Sequence, residues 1–336
     1  MKDVAERAGV SASTVSHVMN GTRKVSDGAR EGVLSAIEEL GYRPNLLAKG
    51  LKTRRTFTVG LLISDIQNPF FTSVVRGVED VALSRGYHLF LCNTDEDPSR
   101  EDEYITELAN KGVDGLIVAS SAPRHNHASR LRAENVPFVF MDREVEGVDA
   151  DAIRVDNRLG MRLIAEHLTE LGHERIAMIS GPLDRASGHE RYRGLKDALA
   201  EPGPGLDDAL VRFGDFRTSS GQEGARELLS LTPPPTALVT ANNQMTLGAL
   251  LEIRDLGLRI PEDVSVVGFD DAEWASLVSP PLTTLAQPTY ELGVRAMRLL
   301  LKRIEDPDGD MERLLLEPEL VVRESTAPPA GKGGKG

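Results

Sequence analysis

A single cysteine, Cys92, is all the thiol chemistry in this chain of 336 residues, which excludes an internal disulfide framework and a cysteine-rich zinc site. Aromatic residues are scarce at 4%, although hydrophobic residues at 40% suffice for a sizeable core. No apolar run approaches the roughly 20 residues needed to span a bilayer. The opening Met1-Lys2-Asp3 is polar where a signal peptide needs an apolar stretch, so a cytoplasmic protein is expected. Enzyme signatures are missing as well. No G-x-G-x-x-G follows the first strand-like run and no G-x-S-x-G elbow occurs. His167, His173 and His189 have no nucleophile or metal-ligand partner at a workable spacing. Neither an enzyme, a cofactor nor a metal is expected, and His173, directly after Gly172, reads as a helix cap.

Basic charge is also in deficit, with a net charge of −13, which taken whole argues against a nucleic-acid binder. The distribution reverses that conclusion. Through Thr58 there are ten Lys and Arg against six Asp and Glu, +4, which leaves −17 for the remainder. A basic end on an acidic body suits a DNA reader with a separate regulatory body, because phosphate contacts supply most of the non-specific affinity.

What the basic end contains is helical. Ser11 is a good N-cap and Gly21 a good terminator, and between them Val15, Val18 and Met19 fall on one stripe of a helix. Ser13, His17 and Asn20 fall on the opposite stripe, with Ala12 ahead of them. A face of small polar groups without acid or bulk suits base edges in a major groove. Lys2 to Ala8 precede it as a short amphipathic helix, with Gly9 as the turn, which together make a helix-turn-helix. Ser26 is placed to cap a third helix with Val33, Leu34, Ile37 and Leu40 on one buried face, closed by Gly41 and Pro44.

These residues carry a resemblance. Asp3-Val4-Ala5, Ala8-Gly9-Val10-Ser11, Ser13-Thr14-Val15-Ser16, Val18, Asn20-Gly21 and Gly41-Tyr42-x-Pro44-Asn45 resemble the headpiece of the lactose-repressor/galactose-repressor (LacI/GalR) family of bacterial transcription regulators. Members of the family carry a few more residues before this point, including a Thr that caps the first helix, so either the start is trimmed here or the first helix begins uncapped, a local loss of about 1 kcal/mol. The resemblance implies base contacts from Ala12, Ser13, His17 and Asn20, phosphate contacts from Thr14 and Ser16, and an operator of about 14 to 18 base pairs that is a pseudo-palindrome with a flexible centre. It also implies that Asn45 to Thr56 is a hinge that folds when paired with its mate in a homodimer on DNA. By position Leu51 would wedge into the minor groove, with Lys52 beside it and Asn45 at the hinge entry.

From Phe57 onward strand-like runs alternate with helices. Thr58 to Ile63, Tyr87 to Cys92, Leu116 to Ala119 and Phe138 to Met141 read as strands of one unit, with a helix after Pro69 through about Arg85. A second unit begins near Asp156, with strands at Arg175 to Ser180, Ala237 to Thr240 and Val264 to Phe269. This alternation predicts doubly wound parallel sheets with ligands at the carboxyl ends of the strands. Asn68-Pro69-Phe70-Phe71, Asp156-Asn157, Ala241 to Met245 and Pro261 to Asp271 resemble the type I periplasmic-binding-protein fold that the same family uses as its effector sensor. The expected fold class is thus an all-α helix-turn-helix headpiece plus an α/β core of two doubly wound subdomains around a cleft. The expected division is a headpiece at 1–44, a hinge at 45–56 and an effector-binding and dimerisation core at 57–325. Within the core the N-subdomain spans about 57–155 and the C-subdomain about 156–282, with crossovers beyond. The Gly- and Pro-rich tail 326–336 is expected to be disordered.

Polar residues at strand ends mark the cleft: Asp142, Arg185, Arg191, Asn242 and Asp270, with Phe70 and Phe71 placed to cover a ring face. The family pattern adds detail. Sugar-sensing members hold their ligand with an Arg, an Asn and an Asp at the positions of Arg191, Asn242 and Asp270, often with an Asp at that of Asp142. Purine-sensing members place aromatics at Phe70 and Phe71, an Arg and a Thr where this chain has Arg185 and Ser187, and a Phe-Glu pair where it has Phe216-Arg217. Asn242 favours a sugar, Arg217 in place of Glu disfavours a purine, and Arg185 with Arg191 suits a sugar acid or sugar phosphate. The expected function is a repressor whose operator affinity is set by a sugar or sugar acid. A purine or nucleoside ligand is the alternative within the family, and a non-regulatory solute-binding protein the alternative outside it. The latter leaves the basic headpiece without a purpose.

Overall fold

The computed structural model describes residues 1–20, 23–42, 55–121, 133, 136–145, 147–200 and 203–330. They fall into two compact units, Met1–Thr56 and Phe57–Gly336. In the first, α1 (Lys2–Arg7), α2 (Ala12–Asn20) and α3 (Asp27–Glu39) enclose Val4, Ala5, Val15, Val33 and Ala36, with Val18, Met19 and Ile37 packed against them. Gly9 turns the chain between α1 and α2 at φ +63°, a conformation open to glycine. Ser11 caps α2 by accepting the Thr14 amide at 3.1 Å.

Two details of the third helix depart from expectation. Ser26 stands at the N-cap of α3 but makes no side-chain cap bond. Leu34 and Leu40 are 51% and 47% exposed. Leu34 lies about 100° round the helix from Val33, and Leu40 is the C-cap residue, so Val33, Ala36 and Ile37 form the packed stripe instead. The first helix indeed has no side-chain cap at Met1.

The second unit is two lobes. The N-lobe contains β1 (Thr58–Ile63), α4 (Pro69–Ser84), β2 (His88–Asn93), α5 (Pro98–Asn110), β3 (Gly115–Val118), β4 (Phe138–Met141) and β5 (Asp151–Val155). The C-lobe follows with α6 (Asn157–Glu170), β6 (Ile176–Ser180), α7 (Ala186–Ala198), β7 (Val211–Phe213), α8 (Thr218–Leu229), β8 (Ala237–Thr240), α9 (Asn243–Asp255), β9 (Ser265–Phe269) and β10 (Thr283–Ala286). The chain then returns to the N-lobe for α10 (Thr289–Glu305) and β11 (Arg313–Leu316), and ends in the C-lobe with β12 (Glu319–Val321). Three segments therefore connect the lobes.

The sheets share one plan, β11-β5-β4-β3-β1-β2 and β12-β10-β9-β8-β6-β7. All pairings are parallel except β10 with β12. The central strands β1, β3, β6, β8 and β9 are buried almost end to end, as befits a sheet covered by helices on both faces. In each sheet the strand order reverses at the first strand, which opens a crevice at the strands' carboxyl ends. The C-lobe sheet takes β10 and β12, beyond the limit of about 282 expected from sequence.

Helix contacts are close in both lobes, and glycines make them so. A Cβ on Gly77 of α4 would stand 2.3 Å from the Tyr290 carbonyl oxygen, and one on Gly293 of α10 would stand 2.1 Å from that of Val74. The C-lobe repeats the device between α8 and α9. Gly221 would meet Met245 O at 2.3 Å, and Gly248 would meet Thr218 O at 2.0 Å.

The expected loose tail does not begin at Thr326. Ser325 is fully buried, with its hydroxyl donating to Val266 O and accepting from the Thr283 amide. Thr326 Oγ1 lies 2.9 Å from His167 Nε2, and Ala327 O lies 3.0 Å from His173 Nε2. The His173 ring is thus a buried tether for the chain end, bonded also to Thr236 Oγ1, while its amide closes α6 on Leu168 O. Proline and glycine content missed this because the polar side chains of the strap carry its order. Among the described residues no helix is long and apolar enough to cross a membrane.

Candidate functional site

The crevices of the two sheets face each other across a cleft of about 40 Å³ of free space, and its wall is made by strand ends. From the N-lobe come Ser64, Asp65 and Asn68 after β1, Phe70 and Phe71 on the first turn of α4, Glu96 after β2, and Asp142 and Arg143 after β4. The C-lobe contributes Ser187 and Arg191 on α7, Asp215, Phe216 and Arg217 after β7, Asn242 after β8 and Asp270 after β9, with Gln287 following β10.

Local structure aims these groups. Asn68 caps α4 by accepting the Phe70 amide at 2.9 Å, and the two phenyl rings then meet edge to face at 4.9 Å. Asn242 caps α9 through Met245 N at 2.9 Å and donates to Phe216 O at 3.0 Å. Asp142, Phe216 and Asp270 all have positive φ, +66°, +68° and +78°. Such conformations cost roughly 1–3 kcal/mol each in a non-glycine residue and persist where the surroundings over-determine them.

Arg191 is the most elaborately held of the cations. Its Nε donates to Asn157 Oδ1 at 2.8 Å, its Nη1 donates to Ala241 O at 2.6 Å, and its guanidinium lies 3.7 Å over the Phe269 ring. Asn157 is oriented in turn by Glu190, and Glu190 by Arg154. Arg143 makes a two-bond pair with Glu96 at 2.7 and 2.8 Å and lies over Phe216. Gln287 donates to Asp270 Oδ1 at 2.5 Å.

Burial pushes the Asp142 and Asp270 carboxyls up from their ordinary value of 3.8, against the pull of nearby Arg143 and Arg191 for the first and of Arg191 for the second. Burial likewise lowers Arg191, outweighing the support of the two carboxylates. Glu96 goes the other way. Burial would raise it, but the Arg143 pair prevails and holds it below the usual carboxylate range. Among the buried atoms of the wall without a hydrogen-bond partner among the described residues are Arg143 Nε, which lies 3.4 Å from the Asp142 carboxylate, and Gln287 Oε1.

Of the cleft residues anticipated from sequence, Phe70, Phe71, Asp142, Ser187, Arg191, Phe216, Arg217, Asn242 and Asp270 stand together in this wall. Arg185 does not; its guanidinium is turned onto Glu96. Arg143, Glu96 and Gln287 were not anticipated. Arg143 adjoins Asp142, and that adjacent pair at a strand end was the signal available for it.

On the headpiece, Ala12 and Ser13 are exposed, and Thr14, Ser16 and His17 are partly so. Thr14 Oγ1 shares a hydrogen bond with Ser11 Oγ. The Asn20 side chain and Asn45, Leu51 and Lys52, to which DNA contacts were assigned, lie outside the described residues. Among the described residues no cluster of His, Cys, Asp and Glu suits a metal ion.

Residues 1–45 match the family described as bacterial regulatory proteins, lacI family, and residues 165–326 match a periplasmic binding protein-like domain. The chain is 41% identical over 326 residues to the ribose operon repressor of Escherichia coli strain K12, covering 97% of this chain and 99% of that one. It is 38% identical over 326 residues to the HTH-type transcriptional repressor PurR of Aliivibrio salmonicida, covering 97% and 98%. Among solved structures, the lac repressor dimer bound to operator and the anti-inducer ONPF is similar with a TM-score of 0.87 at 33% identity, over 97% of this chain and 98% of that one.

Proposed function

Because this chain belongs to the lacI family of bacterial regulatory proteins, and is a DNA-binding transcriptional regulator rather than an enzyme, we propose that its cleft takes a neutral pentose, ribose or a close stereoisomer, as the effector. The carrying observation is the composition of the wall. Carboxylates, guanidinium groups and side-chain amides surround a small space whose flanks are phenyl rings. Such a wall offers acceptors and donors to hydroxyls on every side of a sugar and apolar faces to its C–H surfaces. Arg143 Nε and Gln287 Oε1, neither of them hydrogen-bonded, add one donor and one acceptor of the kind that sugar hydroxyls satisfy.

Charge argues against an anion. The wall carries five carboxylates, on Asp65, Glu96, Asp142, Asp215 and Asp270, against three guanidinium groups, on Arg143, Arg191 and Arg217. Of the expected sugar and sugar acid, this supports the sugar. A purine reading has the similarity to PurR in its favour, but Phe70 and Phe71 meet at 86° and make no parallel slot for a planar base.

A thermal-shift screen against ribose, arabinose, xylose, ribose 5-phosphate, gluconate and hypoxanthine tests the reading. At 100 times Kd a ligand adds about 2.7 kcal/mol of stability, and a pentose is expected to give that shift. A shift with hypoxanthine or the anions and none with pentoses would reject it.

Proton linkage gives a second expected result. The raised Asp142 and Asp270 carboxyls hold their protons to higher pH in the empty cleft than ordinary carboxyls do. Their contribution to stability is therefore present at low pH and lost as pH rises through the raised values. Sugar hydroxyls donate to the ionised form, so binding releases protons and affinity rises with pH over that same interval above 3.8. Calorimetry in two buffers of different protonation enthalpy measures this, and net proton uptake would contradict it.

A further inference from the structure

Arg185 and Arg217 share an unusual placement. Each occupies the N-cap of a C-lobe helix, α7 and α8 respectively, and neither caps it with its side chain. At an N-cap, Ser, Thr, Asp or Asn would ordinarily satisfy a free amide. Both arginines reach instead across the cleft to the same N-lobe turn. Arg217 Nη2 donates to Asp95 O at 3.4 Å, and Arg185 Nη2 donates to Glu96 O at 3.3 Å, with Arg185 Nε 3.6 Å from the Glu96 carboxylate. The acceptors are successive main-chain carbonyls.

The turn itself is built to present them. Asp95 and Glu96 are both left-handed, at φ +53° and +59°, which is uncommon for non-glycine residues and rarer as a consecutive pair. Its amides are tied down behind, Glu96 N donating to Ser64 O at 3.1 Å and Asp97 N donating to Thr94 O at 3.0 Å. On the cleft side the Glu96 carboxylate is taken by Arg143. The turn therefore touches the wall of the site on one side and receives two cations of the opposite lobe on the other.

We infer that Arg185 and Arg217 are a clasp, holding the lobes together through the main chain of the Asp95–Glu96 turn and so setting how long an effector stays without choosing which one binds. This rests on reading the cleft as the effector site. Main-chain acceptors make the clasp indifferent to the ligand, because its two bonds form between lobes whatever sugar lies inside. A residue that touches the ligand behaves differently, since its loss weakens some sugars more than others.

The variant Arg185→Ala of the full chain tests this, because Arg185 stands outside the cleft wall whereas Arg217 also lines it, with release of ribose and of 2-deoxyribose followed by stopped flow. Release is expected to quicken by about tenfold, the scale of one to two net hydrogen bonds, and by the same factor for both sugars. Unequal factors would make Arg185 a ligand contact, and unchanged release would leave it without the role; either overturns the clasp. Arg185→Lys, which keeps a donor, is expected to lie between. A second readout needs no sugar. Amide exchange at Glu96 and Asp97 in the ligand-free double variant Arg185→Ala/Arg217→Ala is expected to quicken relative to the parent, and unchanged exchange overturns the clasp. If no sugar binds the parent chain, the effector reading fails while the exchange result still decides the clasp.

Discussion

Arg191→Ala is expected to lower effector affinity by roughly 30-fold to several thousand-fold, the equivalent of about 2–5 kcal/mol for truncating one partner of a buried, hydrogen-bonded charge set. Operator binding by the ligand-free protein should be retained. The reasoning is electrostatic as well as geometric. Arg191 is the cation that Asp142 and Asp270 share. Without it their carboxyls move further up, so the wall loses support for two ionised acceptors along with its donor. Arg191→Lys is expected to restore little, since a single ammonium cannot reproduce two nitrogens aimed separately at Asn157 and Ala241. Operator titrations with and without ribose give the answer. A variant whose operator affinity still responds to the sugar as the parent's does would remove Arg191 from the site.

Gly248→Ala is expected to destabilise the core by about 2 kcal/mol or more. Alanine gains about 1 kcal/mol over glycine in a helix interior, but the new methyl would lie 2.0 Å from Thr218 O and 2.6 Å from Gln222 N. Those are backbone atoms of α8 and cannot swing aside, so α9 must back away. Overpacking a closed core costs roughly 1–3 kcal/mol even where side chains can yield. Because α9 begins at Asn242 and Asn243, the displacement also reaches the cleft, and weaker effector binding should accompany the lower melting temperature. Gly293→Ala is expected to do the same to the N-lobe. At Gly32 in α3 a Cβ would find only Ala8 O at 3.8 Å, and there alanine should stabilise the headpiece by up to about 1 kcal/mol. Thermal or denaturant unfolding of Gly248→Ala at or above the parent's stability would refute the close-contact argument.

Much of this arrangement is legible in the residues. Continuous apolar runs announce the central strands, because a sheet buried on both faces needs them, and polar residues just past those runs announce the cleft. Edge and return strands are harder. β7 and β12 have three residues each and β11 alternates in burial, so none makes an apolar run. Gln287 escaped for that reason, as it follows β10, a strand not anticipated. Glu96 escaped differently. Its place depends on two successive left-handed residues that propensity assigns to neither glycine nor asparagine. Arg185 was anticipated as a ligand group because an arginine beside a cleft suits an anion, and sequence does not reveal that the opposite lobe supplies that anion. Leu34 and Leu40 show the limit of a periodicity argument in a headpiece too small to cover four large side chains of one helix.

The return of the chain to the N-lobe has a consequence for biosynthesis. The N-lobe sheet is complete through β5 at Val155, yet its outer strand β11 starts at Arg313 and the helix that covers α4 starts at Thr289. At a translation rate of roughly 5–20 residues per second, the ribosome takes about 7–27 s to go from Val155 to Thr289. Until then the side of α4 that receives this helix, at Ser73, Gly77 and Asp80, has no partner. A nascent chain in that interval presents a nearly finished lobe with one apolar side open, the state in which a chaperone is most useful and a prematurely ended product is most prone to aggregate.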